Sequence, residues 1–174
     1  QADASLSDLG RRQAHEAAKA LGAVDAVWAS DLERAAETAA IISADLGVGP
    51  VVLDPDLRER DAGEFSGLTR DEIEVRFPGY LASRTRPPGW EPDEHLVARA
   101  FRAVRSIADA VGGGEVLAVT HGGVIYTIEE HLGAEFDRIP NLAGRWVDVR
   151  GDRLHLGDRV LLTEPGDVTI PGQI

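Results

Sequence analysis

The 174-residue sequence contains no cysteine and no methionine. Without thiols it has no disulfide framework and no thiol chemistry, and this usage fits a reducing cytoplasm. No apolar run approaches ~20 residues, which excludes a transmembrane helix. No stretch reads as a secretory signal. Lysine is nearly missing as well: Lys19 stands alone and the other basic residues are arginines. The formal net charge of −12 argues against non-specific binding to nucleic acid or to anionic membrane. There is no Walker loop, no GxGxxG, no HExxH and no carboxylate cluster, so neither a metal nor a cofactor is expected. Ser66-Gly67 lacks the flanks of a nucleophile elbow. The chain opens on Gln1-Ala2-Asp3 without an initiator methionine, and a further N-terminal segment is expected ahead of it.

The most informative stretch is Glu115-Val116-Leu117-Ala118-Val119-Thr120-His121-Gly122-Gly123. Its apolar run reads as a buried parallel strand. A histidine arrives where that strand ends, two glycines follow, and a helical pattern resumes from Val124 to His131. In an open α/β sheet, ligands bind outside the carboxyl ends of the strands. The first free N–H groups of the next helix favour an anion there. A histidine at that point can meet a phosphate or carboxylate, or exchange protons near neutral pH.

The length suits one domain, residues 1–174, with a sizeable core. Leu6 to Leu21 has helix-forming residues, with Leu9, Ala14, Ala17, Ala18 and Leu21 as an apolar face. Val24 to Ala29 is a strand. Ser30-Asp31-Leu32-Glu33 reads as a capping box with Ser30 as N-cap, opening a helix from about Asp31 to Leu46 that stops at Gly47. A short strand spans Val51 to Leu53, and Thr69-Arg70-Asp71-Glu72 is a second capping box for a helix to about Arg76. Phe77 to Pro92 holds four prolines and reads as a surface loop or lid. Asp93 to Val111 is a long amphipathic helix broken by three glycines. Trp146–Val149 and Leu154–Leu156 form a hairpin through Gly151-Asp152, and the tail from Asp158 is expected to be irregular. The alternation predicts an α/β fold: a mostly parallel sheet with helices on both faces.

Arg34 falls in the first turn of the helix that follows a strand, so its guanidinium can fold back over the strand ends. Arginine offers a planar fork suited to phosphate. Glu59 lies among charges in Leu57–Glu64. Turned inward beside an anion, it could hold a proton as a general acid. Arg84, Arg86 and Trp90 in the 77–92 segment are candidates for contacts with a second substrate group. The remaining histidines, His15, His95, His131 and His155, read as structural or solvated.

Taken together, LSDLGRRQA (6–14), ASDLERAAETA (29–39), LRERDAGEFSG (57–67) and AVTHGG (118–123) resemble, in order and rough spacing, the histidine phosphatase superfamily, which includes the cofactor-dependent phosphoglycerate mutases. The resemblance covers about Leu6 to Asp148 and implies a phosphoglycerate mutase-like fold. It also implies a metal-independent phosphomonoesterase that acts on small phosphorylated metabolites through a phosphohistidine. On this resemblance His121 corresponds to the histidine that contacts the transferring phosphoryl group. Arg34 corresponds to the phosphate-binding arginine, Gly122 to a backbone N–H donor at the helix start, and Glu59 to the proton donor. The family's nucleophilic histidine belongs to an Arg-His-Gly motif on a first strand that would precede Gln1. Two alternatives stand beside hydrolysis: mutase-type phosphoryl transfer, which the short 67–115 spacing disfavours, and a non-catalytic phosphate-ester binding protein should that histidine be missing.

Overall fold

The computed structural model describes residues 5–163. Its first helix, α1 (Asp8–Leu21), starts where Ser7 Oγ accepts the Gly10 N–H at 3.1 Å, a cap worth about 1 kcal/mol. Ala14, Ala17 and Ala18 are buried as expected, but Leu9 is 37% exposed. At ~100° per residue it stands roughly 180° from Ala18, so it does not belong to the buried stripe. β1 (Ala26–Ala29) leads into α2 (Glu33–Leu46), which ends on Gly47 in the left-handed conformation. β2 (Val52–Leu53) follows, and then the irregular stretch 54–68 with two short 3-10 turns. The predicted capping box at Thr69 and Glu72 is formed, and α3 runs from Arg70 to Arg76.

The 77–92 segment contains one short helix, α4 (Tyr80–Ser83). It is rooted by aromatic packing: Phe65 makes edge contacts with Phe77, Tyr80 and Trp90 at centroid distances of 5.3, 6.4 and 6.4 Å. α5 (Asp93–Val111), β3 (Val116–Val119) and α6 (Gly122–His131) follow. A hairpin, β4 (Ala143–Arg150) and β5 (Arg153–Leu161), closes the described fold. The predicted irregular tail is therefore corrected in part, because pairing continues to Ala143↔Leu161. Gly157 hides this strand in the sequence. A Cβ there would lie 2.7 Å from Trp146 Cβ, so the glycine marks close strand approach rather than a turn. Residues 164–174, the remainder of that tail, lie outside the described residues.

β1, β2 and β3 form a parallel sheet in the order β2-β1-β3. Period-2 alternation on β1 decides which helix meets which face. Val27 and Ala29 pack with Ala39 of α2, whereas Trp28 packs with Ala103 and Ile107 of α5. Helices thus cover both faces. The carboxyl ends of β1 and β3, adjacent in the sheet, deliver Ser30 and His121 to the same edge of the molecule. The other side of β3 faces a cavity of about 920 Å³, bounded by residues 116–120 and by residues 143–149 of β4. Among the described residues no helix is long and apolar enough to cross a membrane.

Candidate active site

β3 ends in His121, which caps α6 and is 7% exposed. A buried imidazole needs partners for both nitrogens. Its Nε2 lies 2.9 Å from Ser30 Oγ and its Nδ1 lies 3.1 Å from an Arg34 Nη. Guanidinium can only donate, so Nδ1 accepts and the proton sits on Nε2, donated to Ser30. His121 is thereby a neutral ring with a fixed tautomer. Burial pushes its pKa down to about 3, with the cations Arg34 and Arg99 adding to the shift and Asp31 opposing it. Asp31 is itself held below the usual carboxylate range, first by hydrogen bonds from Arg58. That guanidinium reaches both its oxygens at 2.6 Å.

Ser30 is a correction to the expected capping box. α2 starts two residues later than a Ser30 cap would place it, at Glu33, and Leu32 caps it without a side-chain bond. Ser30, fully buried, accepts the Leu32 N–H at 3.2 Å and meets His121 instead. That partner lies 91 residues away, and helix-start patterns register only local bonding. Arg34 still falls in the first turn of α2, as expected, and its side chain turns over the strand ends.

Glu59 reaches the same place from the irregular stretch. Thr120 Oγ1 donates to the Leu57 carbonyl at 2.7 Å and ties that stretch to the end of β3. Glu59 Oε2 accepts the Gly123 N–H at 3.2 Å, and Oε1 accepts the Arg60 N–H at 2.8 Å. A Cβ on Gly123 would overlap Glu59 Oε1, so the second glycine after His121 is needed for the carboxylate to approach. Gly122 is the first residue of α6, where an N–H has no acceptor inside the helix. His121, Arg34, Glu59 and Gly122 are thus brought to one edge of the sheet by β1, β3 and the 54–68 stretch.

The segment 77–92 is fastened beside them. Trp90 pairs with Ala62 in an isolated bridge, and Glu64 donates its N–H to the Pro88 carbonyl at 3.1 Å. Arg86 stacks its guanidinium 4.2 Å from the centre of the Trp90 ring, and Arg60 reaches 5.7 Å from the same ring. Arg84 is exposed, in the left-handed region at φ 55. Two residues missed in the sequence belong to this region. One is Ser30, signalled only by a small polar residue ending an apolar strand. The other is Arg99, an arginine beside the apolar stripe Leu96, Ala100, Ala103 and Ile107 of α5, all of which are buried. Among the described residues no group of three or more His, Cys, Asp or Glu could hold a metal ion.

The neutral buried ring has a consequence for stability. Unfolded, His121 titrates near 6.5; folded, it resists protonation until about pH 3. Between those values the unfolded chain binds the extra proton, so stability falls as pH drops below 6.5, by on the order of 5 kcal/mol in all. Above 6.5 the group contributes no slope. Urea unfolding at pH 7, 5.5 and 4 should therefore show a shallower acid loss in His121→Gln than in wild type. Parallel curves would show that the ring is not held neutral.

A profile of the histidine phosphatase superfamily (branch 1) matches residues 1–150. Phosphoglycerate mutase-like protein 4 of Arabidopsis thaliana is 36% identical over 177 residues, covering 96% of this chain and 76% of that protein. The metal-independent phosphoserine phosphatase of the same plant is 34% identical over 138 residues, 74% of this chain and 58% of its own length. The glucosyl-3-phosphoglycerate phosphatase of Mycolicibacterium vanbaalenii is 33% identical, covering 91% and 78%. Among solved structures, YhfR of Bacillus stearothermophilus superposes with a TM-score of 0.75 at 30% identity, over 88% of this chain and 83% of that one.

Proposed function

The chain belongs to the histidine phosphatase superfamily, and from that premise we propose that it is a metal-independent phosphomonoesterase in which Arg34, His121, Gly122 and Glu59 act on the phosphoryl group. The observation that carries this reading is the convergence of Arg34 and His121 at the ends of adjacent parallel strands, with the Glu59 carboxylate on the second N–H of the helix that His121 caps. A phosphoryl group arriving there meets a guanidinium fork and the N-terminus of α6, both of which favour an anion, beside the His121 imidazole. These groups are fixed before the substrate arrives, so they stabilise the charge that spreads over the equatorial oxygens in transfer without reorganising. Glu59 supplies a proton to the departing alkoxide and takes one from the water that opens the phosphohistidine.

On the family resemblance, the attacking histidine would come from an Arg-His-Gly strand outside residues 1–174. We place that strand in the cavity beside β3. Among the described residues β3 pairs only with β1, and its other edge carries backbone groups that call for a partner. A parallel strand there would bring its carboxyl end level with His121. The test is turnover of an aryl phosphate by the full-length chain in excess EDTA, followed by a denaturing quench at alkaline pH. We expect full activity and a phosphoryl label that is acid-labile and alkali-stable. Activity that vanishes in EDTA and returns with a divalent ion would overturn the reading.

The substrate is a small phosphorylated metabolite, and the 77–92 segment is where its other end would be recognised. Arg86 stands over Trp90, next to the residues that follow Glu59. We expect Arg86→Ala to lower kcat/KM for a carboxylated sugar-acid phosphate about 10-fold more than for a simple aryl phosphate, with a smaller change for Arg84→Ala, because remote binding energy discriminates between substrates. Wild-type ratios in both variants would remove the segment from substrate choice.

A further inference from the structure

α5 carries Arg99 on its second turn, among buried neighbours, with its side chain only 13% exposed. All five of its N–H donors can be accounted for. Nε and one Nη grip both oxygens of Glu91 at 2.7 and 2.8 Å. That same Nη reaches the Glu59 carbonyl at 3.1 Å, and the other donates to the carbonyls of Asp56 and Arg58 at 2.8 and 2.6 Å. One planar fork thus gathers three carbonyls of the irregular stretch 56–59. Its acidic partner, Glu91, also accepts the Asp61 N–H at 3.2 Å, and the Glu91 carbonyl accepts from Arg60 at 2.8 Å. Burial alone would raise the Glu91 pKa, but the bonds from Arg99 and the Asp61 N–H, with the charges of Arg99 and Arg60, outweigh it and hold the carboxyl below its usual range. The pair therefore stays ionised and clamped on both sides of Glu59.

We propose that Arg99 is the positioning residue for Glu59: it fixes the backbone from which the carboxylate reaches the start of α6. The proposal rests on the reading of Glu59 as the proton donor. Thr120 holds the Leu57 carbonyl and Asp31 holds the Arg58 side chain, whereas Arg99 bonds the Glu59 carbonyl itself. The 54–68 stretch has no ladder or long helix to hold it, and Glu59's own side-chain bonds go to one loop N–H and one helix N–H. Lysine could not replace the fork. It keeps the charge but offers three donors on a tetrahedral head, so Arg99→Lys separates geometry from charge. A proton donor must come within hydrogen-bond reach of the leaving oxygen, and a loosened carboxylate fails most where that oxygen is most basic.

The experiment measures kcat/KM for aryl and alkyl phosphates with the full-length chain in wild type, Arg99→Lys, Glu59→Gln and the double variant, after thermal melts establish folding. We expect Arg99→Lys to lose about 10-fold more on alkyl than on aryl phosphates, part of the range a general acid contributes. In the Glu59→Gln background the same substitution should change alkyl turnover less than about 2-fold, as for residues acting as one unit. A loss that is equal across leaving groups, or that multiplies with Glu59→Gln, would overturn the proposal while leaving Glu59 in its role. A flat leaving-group response in Glu59→Gln alone would overturn that role and the proposal with it. Should Arg99→Lys fail to fold, Glu91→Gln, which releases the fork while keeping the shape, is read against the same criteria.

Discussion

Arg34→Ala and His121→Ala should each lower kcat/KM by ~10²-fold or more, the usual consequence of removing one preorganised stabiliser of developing charge. The two residues touch each other at 3.1 Å, so their effects should not be independent. With Arg34 gone, His121 loses the cation that follows burial as a cause of its low pKa. The ring then titrates closer to neutral pH, and the acid limb of the rate profile should move upward. With His121 gone, Arg34 keeps its charge but loses the acceptor that orients one Nη. The double variant should accordingly lose less than the product of the single losses. His155→Ala, on an exposed position of β5 facing Asp148 across the hairpin, should remain near wild type. Measuring kcat/KM on one aryl phosphate across pH 5 to 9 for all four variants checks this. Equal activity in His121→Ala and His155→Ala would mean that the site lies elsewhere.

The parts of this site that were legible in the sequence are those whose signal is local. A histidine closing an apolar run, followed by Gly122-Gly123, marks a strand end and a helix start within nine residues. The helix Asp93–Val111 and the second capping box at Thr69 follow from period and capping alone, and the structure has both. Ser30 had the right local letters for a cap and a different use, because a buried imidazole from a distant strand competes for its hydroxyl. Arg99 reads locally as one more charge on an amphipathic helix, and only the fold reveals that its fork meets three carbonyls some forty residues upstream. The last strand runs through Gly157 into the segment expected to be irregular, because the glycine lets Trp146 approach. Composition and period describe what each element prefers alone. Partners that are far apart in the chain decide the exceptions.

Glu59→Gln should leave kcat/KM for aryl phosphates within about 10-fold of wild type and depress kcat/KM for alkyl phosphates by ~10²-fold or more, the range a positioned general acid contributes. The substitution keeps the planar shape, and the amide oxygen can still accept one of the two N–H groups that Glu59 now holds, from Arg60 and Gly123. The amide nitrogen, however, would face the other donor, so part of this cradle is lost even though the site stays filled. That geometric penalty is common to every substrate. The loss of a transferable proton is not. A phenolate with electron-withdrawing groups leaves without help, whereas an alkoxide is strongly basic and must be protonated as the P–O bond breaks. The ratio of the two losses therefore isolates proton donation from packing. Opening of the phosphohistidine needs the same carboxylate as a base, which adds a second signature. With an aryl phosphate, a burst of phenol followed by slow turnover should appear in the variant as the phosphoenzyme accumulates. A uniform loss across leaving groups, with no burst, would assign Glu59 to holding the 54–68 stretch against α6 rather than to the chemistry.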